Sequence, residues 1–298
     1  SLYEEFSGRA GDVITGTVKW SESRAIFVDL GRCEGILPYA EQIEGEEFKA
    51  NDKIKCYVLE VKKTTKGPQV FLSRSHPGLV KMLFELEVPE IQDGIVEIKG
   101  IAREAGSRTK MAVFSEDENV DPVGACVGTR GSRVQSIVDE LYGEKIDIIF
   151  WSDDPAELIS NVLSPAEVEE VIIEDENIMS ATAIVPDYQL SLAIGKQGQN
   201  VRLAAKVSGW KIDIKSHTQY FGDGEDEEGY DDDEEIVEND QAPEEEIIEA
   251  DEAPAEAYDE PEIVEIDEAL AETEEVSAEA DEAPAADATE EELEPEKE

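Results

Sequence analysis

The sequence predicts a multidomain protein: a small all-β barrel, then two copies of one α+β unit, then a long acidic segment without a core. Three observations carry this reading. A glycine loop occurs twice, as Gly128-Thr129-Arg130-Gly131 and as Gly195-Lys196-Gln197-Gly198. A strand-like landmark repeats with it, as Lys145-Ile146-Asp147-Ile148 and Lys211-Ile212-Asp213-Ile214, and the two offsets are 67 and 66 residues. Two landmarks at nearly one offset mark a duplicated unit rather than a chance pair of glycine pairs. Charge then divides the chain. Of its 75 acidic residues, 38 lie between Phe221 and Glu298, against a single base, Lys297. That stretch is rich in Glu, Asp, Ala and Pro and cannot bury enough apolar surface to offset ordering entropy and self-repulsion. Residues 218–298 are therefore expected to be a disordered, acidic, low-complexity tail.

In chain order, Val13 to Trp20 alternates as a strand after Gly11-Asp12, and Ala25 to Leu30 is a second apolar run ended by Gly31. Gly35-Ile36-Leu37-Pro38 is a short third strand, Lys53 to Val61 a fourth, and Val70-Phe71-Leu72 a fifth after the Lys66-Gly67-Pro68 turn. Five short strands with glycine-rich turns in under 70 residues predict a small closed barrel. At Pro77 the period changes to helical, with Leu79, Val80, Leu83, Phe84 and Leu86 on one side. Two strands, Ile95 to Ala102 and Lys110 to Phe114, precede a short helix at Asp121-Pro122 that leads into the first loop. A longer helix, Ser132 to Tyr142, and the strand Lys145 to Phe150 complete the unit. The order then repeats. Asp154-Pro155 opens a helix, Ile178 to Val185 is a strand, Val201 to Val207 a helix and Trp210 to Lys215 the last strand. Between them, Ser164-Pro165-Ala166-Glu167 has the pattern of a helix start while Val171-Ile172-Ile173 is β-branched; the repeat template favours strand. The expected boundaries are 1–75 for the barrel, 76–152 and 153–217 for the two units. Only Trp151-Ser152-Asp153 joins the copies, so a fixed relative orientation is expected.

Composition excludes several functions. Cys33, Cys56 and Cys126 are far apart and odd in number, and only two histidines occur, His76 and His217. Buried thiols in a reducing compartment are expected, with no metal centre, cofactor or histidine-dependent catalysis. Apolar runs fall short of the roughly 18 residues of a membrane span, so no membrane association is expected. Gly195-Lys196 is followed by Gln197 rather than Ser or Thr, which rules against a P-loop. No nucleophile–base constellation is present, and the expectation is a non-enzyme.

The loops carry the chemistry. Paired glycines let the backbone approach a sugar-phosphate strand, and the following helix offers unpaired N–H groups and its positive end to phosphate. Thr129, Arg130, Lys196 and Gln197 fill the loops, and Arg133 and Arg202 follow them; Val127 and Val134, then Ile194 and Val201, are candidates for the floor of a base-binding groove. A strand–helix–GxxG–helix–strand order resembles the KH domain, which clamps about four nucleotides of single-stranded RNA. The barrel resembles an S1 domain of the OB type, through Phe27-Val28-Asp29-Leu30-Gly31 and Glu34-Gly35-Ile36-Leu37-Pro38. Its candidate contacts are Phe27, at a stacking position, and Arg24, at the companion position; a groove charge from Arg24, Lys53, Lys55, Lys62, Lys63, Lys66 and Arg74 is the accompanying expectation. With few aromatics, the barrel is expected to grip RNA weakly alone.

Together, the barrel and tandem units resemble the NusA family of transcription elongation, termination and antitermination factors. The carrying stretches are Ile14 to Lys19, Val88-Pro89-Glu90-Ile91, Asp121-Pro122-Val123-Gly124-Ala125-Cys126-Val127-Gly128 and Gly198-Gln199-Asn200-Val201-Arg202-Leu203-Ala204. The resemblance implies type II KH folds and a monomeric cytoplasmic platform for nascent RNA. RNA polymerase and other elongation and antitermination factors are its implied partners. It also implies a polymerase-binding domain ahead of the barrel that this sequence lacks, so the region is not expected to stimulate pausing normally. Two other classes stay open: an accessory RNA-binding region of an RNA-processing exonuclease or ribosome-associated factor, and a protein-binding adaptor with degenerate loops.

Overall fold

The computed structural model of the protein describes residues 1–222. The expected disordered tail lies outside them from residue 223 onward.

The chain opens with α1 (Leu2–Ser7), which the strand-dominated reading of this region missed. Its signal was present: Ser1 and Glu4 form a capping box. Its Phe6 is buried in the barrel core. Five strands follow, β1 (Val13–Glu22), β2 (Ala25–Asp29), β3 (Glu34–Leu37), β4 (Lys53–Thr64) and β5 (Gly67–Ser73), closed in the order β1-β2-β3-β5-β4. Period-two alternation sends Ile14 and Val18, Val28, and Ile54, Cys56 and Val58 inward. Gly16 faces the same core, and a Cβ there would lie 2.3 Å from Val28 Cγ1, so the barrel closes only over a glycine.

The first α+β unit comprises α2 (Pro77–Glu87), α3 (Pro89–Gln92), β6 (Glu97–Glu104), β7 (Arg108–Phe114), α4 (Pro122–Val127), α5 (Ser132–Glu140) and β8 (Lys145–Phe150). The second repeats it: α6 (Pro155–Val162), β9 (Glu170–Asp175), β10 (Ser180–Val185), α7 (Leu190–Ile194), α8 (Gln199–Ser208) and β11 (Lys211–Ser216). In each sheet the middle strand, β7 or β10, pairs antiparallel with the preceding strand and parallel with the last. Asp121 and Asp154 cap α4 and α6, each with proline at the first helical position. The ambiguous Val171-Ile172-Ile173 stretch is strand β9. A last helix, α9 (His217–Phe221), takes in residues 218–221, which were expected to belong to the disordered tail; Ser216 and Gln219 form its capping box.

The joints between these units are packed. Arg74, counted above among groove bases, is fully buried where the barrel meets the first unit. Its Nη2 donates to Glu46 Oε1 (2.6 Å) and to the Glu140 carbonyl (3.0 Å), and Nη1 donates to the Lys55 carbonyl (2.8 Å). The Phe48 and Tyr142 rings lie 5.5 and 5.8 Å from the guanidinium. A planar group with five donors satisfies several acceptors at once, so arginine suits a joint better than a groove here. Between the two α+β units there is one core. Ala102, Ala112 and Ile149 of the first pack with Leu158, Ile159, Leu203, Val207 and Trp210 of the second. Gly100 in β6 lets α8 approach; a Cβ there would meet the Val207 carbonyl at 2.8 Å. Lys110 is buried too, its Nζ bridging Asp147 (3.0 Å) and the Ser164 carbonyl of the second unit (2.6 Å). The fixed orientation thus comes from a shared core rather than from the shortness of residues 151–153.

Candidate nucleic-acid interface

The two loops share one backbone conformation. Gly128 has φ 74°, ψ 174° and Gly195 has φ 78°, ψ 170°. The third residues, Arg130 (55°, 29°) and Gln197 (54°, 29°), are left-handed without being glycine. Gly131 (78°, 14°) and Gly198 (73°, 14°) follow. Left-handed backbone costs a side-chain-bearing residue about 1–2 kcal/mol, and strain of this kind persists where the surroundings over-determine it. The first glycines also answer a steric need. A Cβ on Gly128 would lie 2.7 Å from Arg133 Cγ, and on Gly195 2.7 Å from the Asn200 nitrogen. The second glycines are open, with nothing nearer than 4.0 Å.

Each loop opens directly into a helix, α5 or α8, whose start has no side-chain cap. The first N–H of each helix, on Ser132 or Gln199, goes to the Thr129 or Lys196 carbonyl, and the helix dipole beyond it favours an anion. Thr129, Arg130, Lys196 and Gln197 project as exposed side chains. Arg130 and Lys196 occupy different loop positions, third and second, and among the described residues neither makes an ion pair. Val127, Val134 and Val201 are half-buried and Ile194 is exposed beside the loops.

The arginines after the loops divide. Arg133 in the first copy corresponds by the 67-residue offset to Asn200 in the second, and both brace the helix before the loop. Arg133 Nη1 donates to the Ala125 carbonyl (2.7 Å) and pairs with Glu90 (2.8 Å). Asn200, 5% exposed, donates to the Ala193 (2.9 Å) and Leu163 (3.0 Å) carbonyls. Arg202 corresponds instead to Gln135 and turns toward the first unit. Its Nε donates to Glu104 Oε1 (2.8 Å) and its Nη1 to the Gln197 carbonyl (3.0 Å). A recess of about 360 Å³ lies here, lined on one side by Glu104, Ala105 and Ser107 and on the other by Lys196, Gln197, Gln199 and Arg202.

The barrel presents more aromatic surface than its sequence suggested. Phe27 is half-buried and stacks on Trp20, centroids 5.2 Å apart at 19°. Arg24 has φ 68° in the β1–β2 turn, and its guanidinium lies 5.0 Å over Tyr39, which is 62% exposed. Register aligns Phe27 with Ile36 and Ile36 with Phe71, and Lys62 sits 5.0 Å over the Phe71 ring. Trp20, Tyr39 and Phe71 were missed. The signal for Trp20 was the hairpin register, which sets it opposite Phe27. Other groove bases are partly engaged: Lys53 with Thr17 (2.6 Å), Lys55 with Glu140 (3.8 Å) and Lys62 with Glu60 (3.3 Å). Burial pushes the Cys56 and Cys126 thiols up to about 12, as inert core thiols require. Among the described residues no helix is long and apolar enough to cross a membrane.

Three family models match in the order of the fold. The S1 RNA binding domain matches residues 8–73, the NusA-like first KH domain 74–151 and the NusA-like second KH domain 155–221. Curated relatives agree. The "Transcription termination/antitermination protein NusA" of Bacillus subtilis is 58% identical over 217 residues, which is 73% of this chain and 58% of that protein. The protein of the same name in Halalkalibacterium halodurans is 58% identical over 218 residues, 73% of this chain and 57% of the relative. That of Mycobacterium tuberculosis is 48% identical over 222 residues, 72% and 64%. The chain therefore spans a little over half the length of the first two relatives. With three matched domains, in this order and at this identity, the chain belongs to the NusA family over residues 8–221.

Proposed function

We propose that residues 1–222 form a single-stranded RNA-binding platform acting in transcription termination and antitermination, without a catalytic step. The observation that carries this reading is the pair of loops with one backbone geometry, each opening a helix without a side-chain cap, on two units joined through a shared core. Phosphates dock on loop and helix N–H groups, Arg130 and Lys196 add charge, and bases lie over Val127, Val134, Ile194 and Val201. Thr129 and Gln197 line the same path. Arg133 acts through the loop it braces, and Arg202 at the edge of the recess. Trp20, Phe27 and Tyr39 with Arg24 supply a stacking surface on the barrel. The family and the relatives' printed names favour this over an exonuclease accessory region, a ribosome-associated factor or an adaptor. On this reading the chain is a cytoplasmic monomer that meets nascent RNA at RNA polymerase, beside other elongation and antitermination factors.

Fluorescence anisotropy of the full chain with a labelled single-stranded RNA tests it. With four to six phosphates neutralised, log K falls against log salt with a slope of about −3 to −4. The double variant Gly128→Asp, Gly131→Asp places bulk and negative charge where phosphate docks and loses affinity by about tenfold or more. Unchanged affinity in a variant that keeps its circular dichroism spectrum overturns the reading.

A further inference from the structure

We propose that Glu104, at the end of β6 in the first KH unit, occupies Arg202 of the second as a stand-in for an RNA phosphate, which displaces it on binding. This rests on the RNA-binding reading above and assigns to it a residue outside both loops.

Three features of the contact point this way. The first is its geometry. Arg202 Nε and Nη2 both go to one oxygen, Glu104 Oε1, while Oε2 is taken by Gln199 Nε2 (2.7 Å). Nearby Arg108 shows the alternative, a fork on two oxygens of Asp147 (2.7 and 2.8 Å). Paired oxygens match a guanidinium fork best, and a phosphate presents them. Arg202 is thus held in a form that a phosphate improves on. The second is exposure. The Arg202 side chain is 44% exposed and Glu104 25%, whereas Lys110 and Arg103, which tie other parts of the fold, are fully buried. A partly exposed pair of this kind contributes little to stability, so its exchange costs little. The third is placement. Arg202 Nη1 holds the Gln197 carbonyl of the second loop, and the pair borders the recess that also takes in Lys196. An incoming phosphate therefore meets Lys196, the uncapped start of α8 and Arg202 together.

Cross-strand pairing does not neutralise Glu104. Its register partner in β7 is Arg108, and that side chain is committed to Asp147. The carboxylate is left to Gln199 and Arg202. Among the described residues the first loop has no such arrangement: Gln135, at the position of Arg202, bonds Asp139 one turn on (2.8 Å). Burial pushes the Glu104 carboxyl up, but the bonds from Gln199 and Arg202 outweigh it and hold the carboxyl below its usual range. It is a charged competitor at neutral pH.

The test uses the full chain, single-stranded RNA and three variants, Glu104→Gln, Arg202→Gln and the double. Glu104→Gln keeps the side-chain shape and removes the charge. The expected result is about two- to fivefold tighter binding, the scale of one partly exposed ion pair. The salt slope is unchanged, because the phosphate reaches Arg202 in both chains; in Arg202→Gln it falls by about 0.7, one lost phosphate contact. Arg202→Gln weakens binding and the double variant shows no gain from Glu104→Gln. If Glu104→Gln weakens binding or leaves it unchanged, or if Arg202→Gln leaves the salt slope unchanged, Glu104 is a strut between the units and the proposal fails. If the unmodified chain does not bind RNA at all, the RNA-binding reading fails instead.

Discussion

The two glycine loops have the same backbone and different surroundings. Their dihedrals agree within 5°, yet the first is braced inside its own unit, by Arg133 and Glu90, and the second is tied to its neighbour, through Glu104 and Arg202. The position five residues after the first glycine does the same work in both, but as a half-exposed arginine in one copy and a buried asparagine in the other. Duplication preserved the loop backbone, glycine positions included. The supporting contacts diverged with the neighbours: the barrel meets α5 at its far end, through Arg74 and the Glu140 carbonyl, while the first unit packs along α8 where Gly100 admits Val207. A clamp of this kind is a backbone device first, and its side chains adapt to what lies behind it.

The largest effect that separates the loop positions is steric. Gly195→Ala puts a Cβ both into left-handed backbone and against Asn200, and lowers stability by about 3 kcal/mol. Gly198→Ala meets open space and costs about 1 kcal/mol. Thermal unfolding of the two variants, with Gly128→Ala and Gly131→Ala beside them, checks whether the rule holds in both copies. Equal losses at first and second glycines break it.

The braces differ by less. Asn200→Ala strips a hydrogen bond from two buried carbonyls, Leu163 and Ala193, and costs about 2 kcal/mol in urea unfolding. Arg133→Ala removes a half-exposed pair and costs under about 1 kcal/mol. A reversed order would mean that the first loop depends more on its brace than the buried geometry implies.

Acid separates the repeated Lys-Ile-Asp-Ile landmarks by the smallest margin. Burial pushes the Asp147 carboxyl up, but hydrogen bonds from Arg108 and Lys110 and their charges hold it below its usual range. A depressed carboxylate contributes stability that is full above its unfolded pKa of about 4 and is lost as pH falls through the lower folded value. Asp147→Asn therefore flattens the acid limb of the stability profile. Its counterpart Asp213, 66% exposed with Lys215 at 3.9 Å, is the control, and Asp213→Asn leaves that limb in place. A profile unmoved by Asp147→Asn would show that the buried cluster at the joint is not what acid breaks.

Much of this was legible before any coordinates. Alternation in two runs, and short apolar runs between glycine-rich turns in the others, marked all five barrel strands, and the repeat template decided that Val171-Ile172-Ile173 is strand where periodicity alone was silent. What escaped was long-range. Arg74 looked like a groove base, because nothing local distinguishes an arginine at a joint from one at a surface. Trp20 and Tyr39 were passed over because stacking partners come from different strands and turns. Arg133 and Arg202 looked like one role repeated, and only their partners, 43 and 98 residues away, separate them.

The sequence by itself determined the element order, the duplication and the glycine positions where the backbone turns left-handed, since these depend on local sterics and on spacing along the chain. The tertiary structure decided which charges face solvent. It buried Arg74 and Lys110 in joints between the units and left Arg130 and Lys196 exposed on the loops. Whether a cation is a strut or a ligand depends on what packs against it from elsewhere in the chain.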